Sequence, residues 1–171
     1  MAVLHILTYP DSRLSDVALA VTEFDASLQQ LVADLQETML DGPSAVGIAA
    51  PQVGVRLRVA IVDVGPMLES GQKRKPKSSY NGRLVLVNPE IVERDGKVTG
   101  REGCLSVPDY TGNVLRADSV RVRAQDVLGG VQEIACSGFE SRAIQHEMDH
   151  LDGKLFLDRV LSSRELFRRK I

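Results

Sequence analysis

The chain has 171 residues, of which 43% are apolar, so it is long enough to build one domain around a sizeable core. A formal net charge of −2 argues against a broad surface for DNA, RNA or anionic membranes, because such partners select for a basic excess. Two cysteines are too few for a disulfide framework, no stretch approaches the roughly 18 apolar residues of a membrane span, and no basic leader precedes an apolar run. We therefore expect a single soluble, cytoplasmic domain over residues 1–171.

The first predicted helix follows Asp25. Apolar residues recur with helical period from Leu28 to Met39, and Gly42 ends the run. The segment GPSAVGIAAPQVG that follows is rich in small residues, which allow the backbone to approach another group closely. Residues 57–64, LRVAIVDV, have the composition of a buried strand.

The middle of the chain predicts a mostly antiparallel sheet region. Residues 65–82 are rich in Gly, Pro, Ser and Lys and predict an exposed excursion from the sheet. LVLVNPEIV predicts another strand, and SVRVRAQDVLGGVQEIAC predicts a hairpin that turns at Gly129–Gly130. Few strands are separated by helices of crossover length, so the pattern indicates an α+β fold rather than a doubly wound one.

Two pairs of residues have the spacing of a helix capping box. Ser137 and Glu140 predict a helix that begins there and runs to about Leu151. Ser162 and Glu165 repeat the pattern and predict a short last helix.

His146 and His150 stand one helical turn apart, with Glu147 between them. Helical periodicity places both imidazoles on a stripe with Phe139 and Ala143, so both are expected to face the interior. The other side of the helix has polar residues: Ser141, Arg142, Gln145, Asp149 and Asp152. An H-E-x-x-H arrangement binds zinc-like ions and keeps a carboxylate near the bound water; the alternative is a pair of core histidines bonded to backbone.

Such a metal site needs a third protein ligand. One known pattern, H-E-x-x-H-x-x-G-x-x-H, is followed through Gly153 but has Phe156 where the last histidine would stand, so that variant is excluded. Acidic residues, His5 and the cysteines remain candidates, and EGCLSVP has the most weight because a glycine frees the backbone beside Cys104. Cys136 ends an apolar strand, which is typical of a core thiol, and His5 is more simply a packed or surface side chain.

One cysteine and two histidines with an open fourth position are typical of a catalytic metal site rather than a closed structural one. A thiolate donates more charge than an imidazole or a carboxylate. The set is compatible with Fe²⁺, Zn²⁺, Ni²⁺ or Co²⁺, and ligand chemistry alone leaves the choice open.

Three sequence blocks together resemble the bacterial peptide deformylases: GIAAPQ at 47–52, EGCLS at 102–106 and QHEMDHLDGKLF at 145–156. The likeness extends over nearly the whole chain, with the blocks in the family's order. The resemblance implies an α+β fold of mostly antiparallel sheets packed around a central metal-binding HExxH helix. It also implies a hydrolase that removes the formyl group from formylmethionine of newly synthesised polypeptides and releases formate, usually with Fe²⁺ and with nickel, cobalt or zinc as substitutes.

The resemblance also implies a role for individual residues. The metal ligands would be Cys104, His146 and His150. Glu147 would be the general acid and base, while the side-chain amide of Gln52 and the backbone N–H of Leu105 would face the formyl oxygen. Gly47 would pair with an extended peptide through its backbone, and the Met side chain would enter an apolar pocket beside Val46 and Ile48.

Some positions depart from the family pattern. Ala45 stands where the first block usually has a glycine, the stretch DYTGN lacks an arginine that many relatives carry, and the 65–82 loop is longer than in many of them. Arg116 matches a family position from which it would pair with Glu102 and brace the cysteine loop; the alternative is a solvated surface arginine.

Two other functions fit parts of the pattern. A metallopeptidase is suggested by H-E-x-x-H alone, and a binding module with a structural metal would leave Glu147 without a task. Basic residues form two clusters, one in the loop and one at the end of the chain: Lys73, Arg74, Lys75 and Lys77, then Arg164, Arg168, Arg169 and Lys170. Such clusters are usually solvated, but contact with ribosomal RNA would suit an enzyme that acts on emerging chains.

Overall fold

The protein has an α+β architecture of antiparallel strands and few helices, described for residues 2–69 and 80–169 in a computed structural model. The strands are β1 (Gly47–Ala49), β2 (Val59–Val62), β3 (Leu84–Asp95), β4 (Val98–Cys104), β5 (Val107–Arg116), β6 (Ser119–Gln125), β7 (Val131–Ser137) and β8 (Leu166–Arg168). They form a five-stranded sheet in the order β1-β2-β3-β6-β7 and a three-stranded sheet in the order β4-β5-β8, and every pairing is antiparallel. The predicted hairpin turn at Gly129–Gly130 is confirmed between β6 and β7.

The first predicted helix is confirmed as α1 (Ala26–Asp41). The carboxylate of Asp25 caps it by accepting a hydrogen bond from the backbone N–H of Leu28, and Gly42 ends it. Its apolar stripe packs on one face of the larger sheet, against Ile48 and Ile61.

The helix that contains the histidines is α3 (Gly138–Leu151), and it packs on the opposite face of the larger sheet. Gly153 follows it with φ +74°, and a Cβ there would lie 2.5 Å from the carbonyl oxygen of Ser15, so the predicted stop is confirmed. The polar side of α3 is not exposed to solvent: of its five residues only Asp152 is exposed, and the other four lie against the β4–β5 hairpin and its continuation.

The helix predicted to begin at Ser137 and run to about Leu151 is confirmed as α3, but its capping box does not form, and the helix predicted after Ser162 is limited to one 3-10 turn. The hydroxyl of Ser137 makes no capping bond within the described residues, and Glu140 instead accepts hydrogen bonds from the backbone N–H and side-chain amide of Asn81. After Ser162 the chain makes one 3-10 turn, Ser163–Glu165, and then strand β8 rather than a helix, because pairing along the free edge of β5 satisfies its backbone groups.

The predicted excursion at 65–82 is only partly described. Gly65–Glu69 form a short helix, α2, and residues 70–79 lie outside the described part of the chain, as do the basic residues at 73–77. Among the described residues, no helix combines the length and apolarity needed to cross a membrane.

Candidate active site

The histidines of α3 meet a thiol from the smaller sheet. Cys104 ends β4, and its Sγ lies within 4.8 Å of one ring nitrogen from each of His146 and His150, with all three atoms mutually within that distance. The Sγ and the His150 Nε2 are 3.4 Å apart. A thiol and two imidazoles converging on one point are suited to hold a small divalent cation. His5 is exposed and Cys136 is a buried core thiol, so neither belongs to this cluster.

His146 is oriented by a buried carboxylate. Its Nδ1 lies 2.8 Å from an oxygen of Glu102, which leaves Nε2 as the nitrogen directed elsewhere. Glu102 also accepts hydrogen bonds from Arg116, at 2.9 and 2.8 Å, and from Arg142, at 2.6 Å. Arg116 is only 5% exposed, so the surface-arginine interpretation is wrong and its predicted pairing with Glu102 is confirmed.

The two histidines differ in their electrostatic surroundings. Burial by itself lowers the pKa of an imidazole, and together with the positive neighbours His146 and Arg116 it holds the pKa of His150 well below its ordinary value. His146 is less completely buried than His150, and its hydrogen bonds with Cys104 and Glu102 outweigh burial and raise its pKa well above the ordinary value. The fit to a divalent metal rests on the donors themselves: a thiol and two imidazoles converge, and Glu102 bonds the Nδ1 of His146 in the manner of a carboxylate behind a metal-ligating histidine.

The carboxyl group of Glu147 is buried beside these donors. Burial, which disfavours the charged form, raises the pKa of Glu147 to about 7, and one of its oxygens has no hydrogen-bond partner within the described residues. The other side of the group lies against Gly47 of β1, where a Cβ would be 2.6 Å from Oε1. Gly47 thus has a role besides the predicted one, since it makes room for Glu147.

Hydrogen bonds hold the side-chain amide of Gln52 in one orientation, with its nitrogen directed at the cluster of donors. The backbone N–H of Ala49 donates to Oε1 at 2.9 Å, which fixes the oxygen and turns Nε2 toward Cys104 and Ser106, at 3.6 Å from Sγ and 3.1 Å from Oγ. Gln52 is 1% exposed and lies in the 3-10 turn Ala50–Val53. Sequence reasoning missed Ser106, whose place in EGCLS was the available signal.

A cavity of about 510 Å³ opens onto this cluster. Its wall includes Val46, Gly47 and Leu105, three residues for which the sequence predicts substrate contacts, and also Phe139 and Ala143 from α3. Ile48 is not part of that wall: it is fully buried against α1, because alternate residues of β1 face opposite sides of the sheet. A larger groove, about 710 Å³, lies behind α3 and includes none of the catalytic candidates, so volume alone does not mark the site.

The thiol, the imidazoles and the buried carboxylate define a candidate metal-dependent hydrolase. The sequence model of the Polypeptide deformylase family matches residues 3–165. The peptide deformylase of Alkalilimnicola ehrlichii is 45% identical over 172 aligned residues, which cover 100% of this chain and 90% of that protein. A peptide deformylase structure from Legionella pneumophila superposes with a TM-score of 0.83 at 41% identity, covering 96% of this chain and 89% of the other.

A Met-Ala-Ser-bound peptide deformylase from Acinetobacter baumannii is also similar, with a TM-score of 0.82 at 38% identity, over 93% of this chain and 100% of that one. The chain therefore belongs to the polypeptide deformylase family. It is an enzyme of this metal-dependent family, and its antiparallel α+β fold is the family's fold.

Proposed function

We propose that this protein hydrolyses the formamide of N-terminal formylmethionine on newly synthesised polypeptides, with Cys104, His146 and His150 holding one divalent cation. The observation that carries the proposal is the convergence of one sulfur and two ring nitrogens within 4.8 Å, next to a buried carboxylate. We propose Fe²⁺ as the cellular metal and Ni²⁺, Co²⁺ or Zn²⁺ as substitutes, since a thiolate with two imidazoles accepts each of them.

A formamide is a poor electrophile, so the site must activate both water and the carbonyl. When bound, a divalent cation would supply Lewis acidity, which lowers the pKa of water and polarises a carbonyl oxygen. Glu147 takes a proton from the attacking water and returns it to the leaving amine, a task suited to a carboxyl with a pKa of about 7. The Gln52 amide and the Leu105 backbone N–H donate to the developing oxyanion, and loss of one such donor costs about 3 kcal/mol in the barrier.

The substrate's first side chain fits the cavity beside these groups. Val46, Phe139 and Ala143 give that cavity apolar surface suited to an unbranched Met side chain. Gly47 lies at the edge of the larger sheet, where its backbone pairs with an extended peptide.

The test is release of formate from formyl-Met-Ala-Ser by protein loaded with iron or nickel without oxygen. We expect formate release by the loaded protein and none after chelation. Bound metal without formate release would overturn the proposal, and internal cleavage of unformylated peptides would replace it with a metallopeptidase.

We further propose that the protein acts in the cytoplasm and contacts the ribosome through its C-terminal basic residues. Arg164 and Arg168 are exposed, which leaves them available to phosphates, whereas Lys170 lies outside the described residues. Charge reversal at both positions is expected to abolish salt-sensitive co-sedimentation with ribosomes. Unchanged co-sedimentation would contradict the contact.

A further inference from the structure

The mouth of the substrate cavity has an uneven charge. Its wall contains two carboxylates, Glu102 and Glu147, and both are buried. Glu102 is already bonded to three positive or hydrogen-donating partners: Arg116, Arg142 and His146. Two further arginines of the wall, Arg101 and Arg169, are exposed, so the charge that an incoming peptide meets at the mouth is positive.

Strand β8 builds this mouth. The ring of Phe167 lies under the guanidinium of Arg101, with 4.0 Å from Cζ to the ring centroid, and this cation–π contact fixes where the charge stands. The backbone N–H of Arg169 donates to the carbonyl of Asp109 at 2.7 Å, which continues the pairing of β8 with β5. Because side chains alternate along a strand, Phe167 and Arg169 share one face and Arg168 faces the other way.

Gly103 leaves room for the Arg169 guanidinium beside the segment that carries Cys104. A Cβ on Gly103 would clash with a guanidinium nitrogen of Arg169, so the glycine leaves room for the guanidinium in this position. Gly103 directly precedes Cys104 in the chain. The Arg169 guanidinium therefore lies against the residue next to the proposed metal ligand. Across the described part of the chain, neither Arg101 nor Arg169 forms a salt bridge with a carboxylate.

From this placement we infer that Arg101 and Arg169 form a cationic rim that makes the enzyme prefer acidic over basic side chains at the second to fourth residues of a formyl-Met polypeptide. The inference rests on the proposed function, since the formyl group at the metal and Met in the cavity direct the rest of the peptide outward. An extended peptide advances about 3.3 Å per residue, so the second to fourth side chains leave the cavity near these guanidinium groups. At these positions the charge of the side chain, rather than its shape, then decides how well the enzyme binds a peptide.

The test compares three peptides with nickel-loaded enzyme at low ionic strength: formyl-Met-Ala-Ser, formyl-Met-Glu-Glu-Ser and formyl-Met-Lys-Lys-Ser. We expect kcat/KM to be about five- to tenfold higher for the acidic than for the basic peptide, mainly through KM, because two exposed charge pairs contribute modestly. The ratio should shrink toward one in about 0.5 M NaCl, where exposed charges are screened.

Two variants and a control locate the effect. Arg101→Glu and Arg169→Glu should abolish or reverse the preference, measured for each variant as the ratio of kcat/KM for the acidic peptide to that for the basic peptide. Arg168→Glu changes the same charge on the opposite face of β8 and should keep the preference. Calorimetric binding of the product peptides Met-Glu-Glu-Ser and Met-Lys-Lys-Ser provides the same comparison without turnover.

Three results would overturn the inference that the cationic rim selects substrates by charge. These are equal kcat/KM for acidic and basic peptides at low salt, an Arg168→Glu effect as large as that of Arg169→Glu, or arginine variants that lose ribosome binding with an unchanged peptide preference. Failure of the proposed function is distinct: metal-loaded protein then releases no formate even from the neutral peptide.

Discussion

Glu147 shows at the scale of one residue how the fold tunes a side chain for proton transfer. Its sequence position beside two histidines is common to many metal sites, but its burial and its contact with Gly47 come from packing against β1. Burial raises the pKa of Glu147 to about 7, so the group exchanges a proton near neutral pH with little free-energy cost in either direction.

We predict that Glu147→Gln lowers kcat for formyl-Met-Ala-Ser by about 10²- to 10⁴-fold, because the amide cannot accept the proton of water. The metal content should stay unchanged, since Glu147 is not in the cluster of donor atoms. Parallel measurement of kcat and of metal by elemental analysis checks this, and retained kcat with full metal occupancy would contradict the role.

Cys104 is the residue that we expect to limit the enzyme's lifetime in air. A thiolate next to Fe²⁺ is open to oxidation of both sulfur and metal, whereas Ni²⁺ resists the metal step. Iron-loaded enzyme should lose formate-releasing activity faster in air than nickel-loaded enzyme. Equal half-lives, followed with mass spectrometry of the Cys104 peptide, would count against this mechanism.

At the scale of elements, α3 is a helix buried on nearly every side. One side packs on the larger sheet through Ile144 and Met148, and the polar side packs on the smaller sheet through Arg142 and Asp149. Contacts with both sheets therefore fix the positions of the side chains on α3. Contact with β1 at Gly47 then decides where the Glu147 carboxylate lies.

We predict that Gly47→Ala lowers kcat on the order of tenfold or more, because the new Cβ displaces the Glu147 carboxylate from its position. The fold should be kept, since the displaced atoms belong to the side chain of Glu147 and not to the backbone. On the Glu147→Gln background the same substitution should cost much less in kcat. Equal losses on both backgrounds would place the effect elsewhere.

At the scale of the whole molecule, a buried ionic network joins the smaller sheet to α3. Arg116 of β5 bonds Glu102 of β4 and, at 2.6 Å, Asp149 of α3, which also accepts from Arg159. Through Glu102 the network reaches His146. The smaller sheet supplies the thiol and α3 supplies the two imidazoles. The ionic network between the sheet and the helix thus helps to set the position of the thiol relative to the imidazoles.

We predict that Arg116→Met lowers the free energy of unfolding by about 3 kcal/mol, because two buried carboxylates, Glu102 and Asp149, each lose one of their charged partners. The exposed Arg121, which lies 3.5 Å from Glu93 and from Glu133, is the control. Arg121→Met should cost no more than about 1 kcal/mol. Urea unfolding of both variants in the same metal state provides the measurement, and equal effects would contradict the network's importance.

The sequence by itself determined the elements whose cause is local. The periodicity of α1, the Gly129–Gly130 turn and the antiparallel α+β class follow from side-chain spacing and turn chemistry. The spacing of His146 and His150 places both side chains on one face of α3, whatever surrounds the helix. EGCLS was specific enough to single out Cys104 as the third member of the cluster.

Only the tertiary structure decided what depends on partners distant in the chain. Ser137 and Glu140 had the local pattern of a cap, yet Asn81 binds Glu140, and β5 draws the last segment into a strand. Ile48 faces α1, and Arg169 reaches Gly103 across some 65 residues, because sheet pleat and strand pairing set these contacts. Local patterns fix a residue's own backbone, while its burial, charge state and partners come from surfaces that meet only when the sheets close on α3.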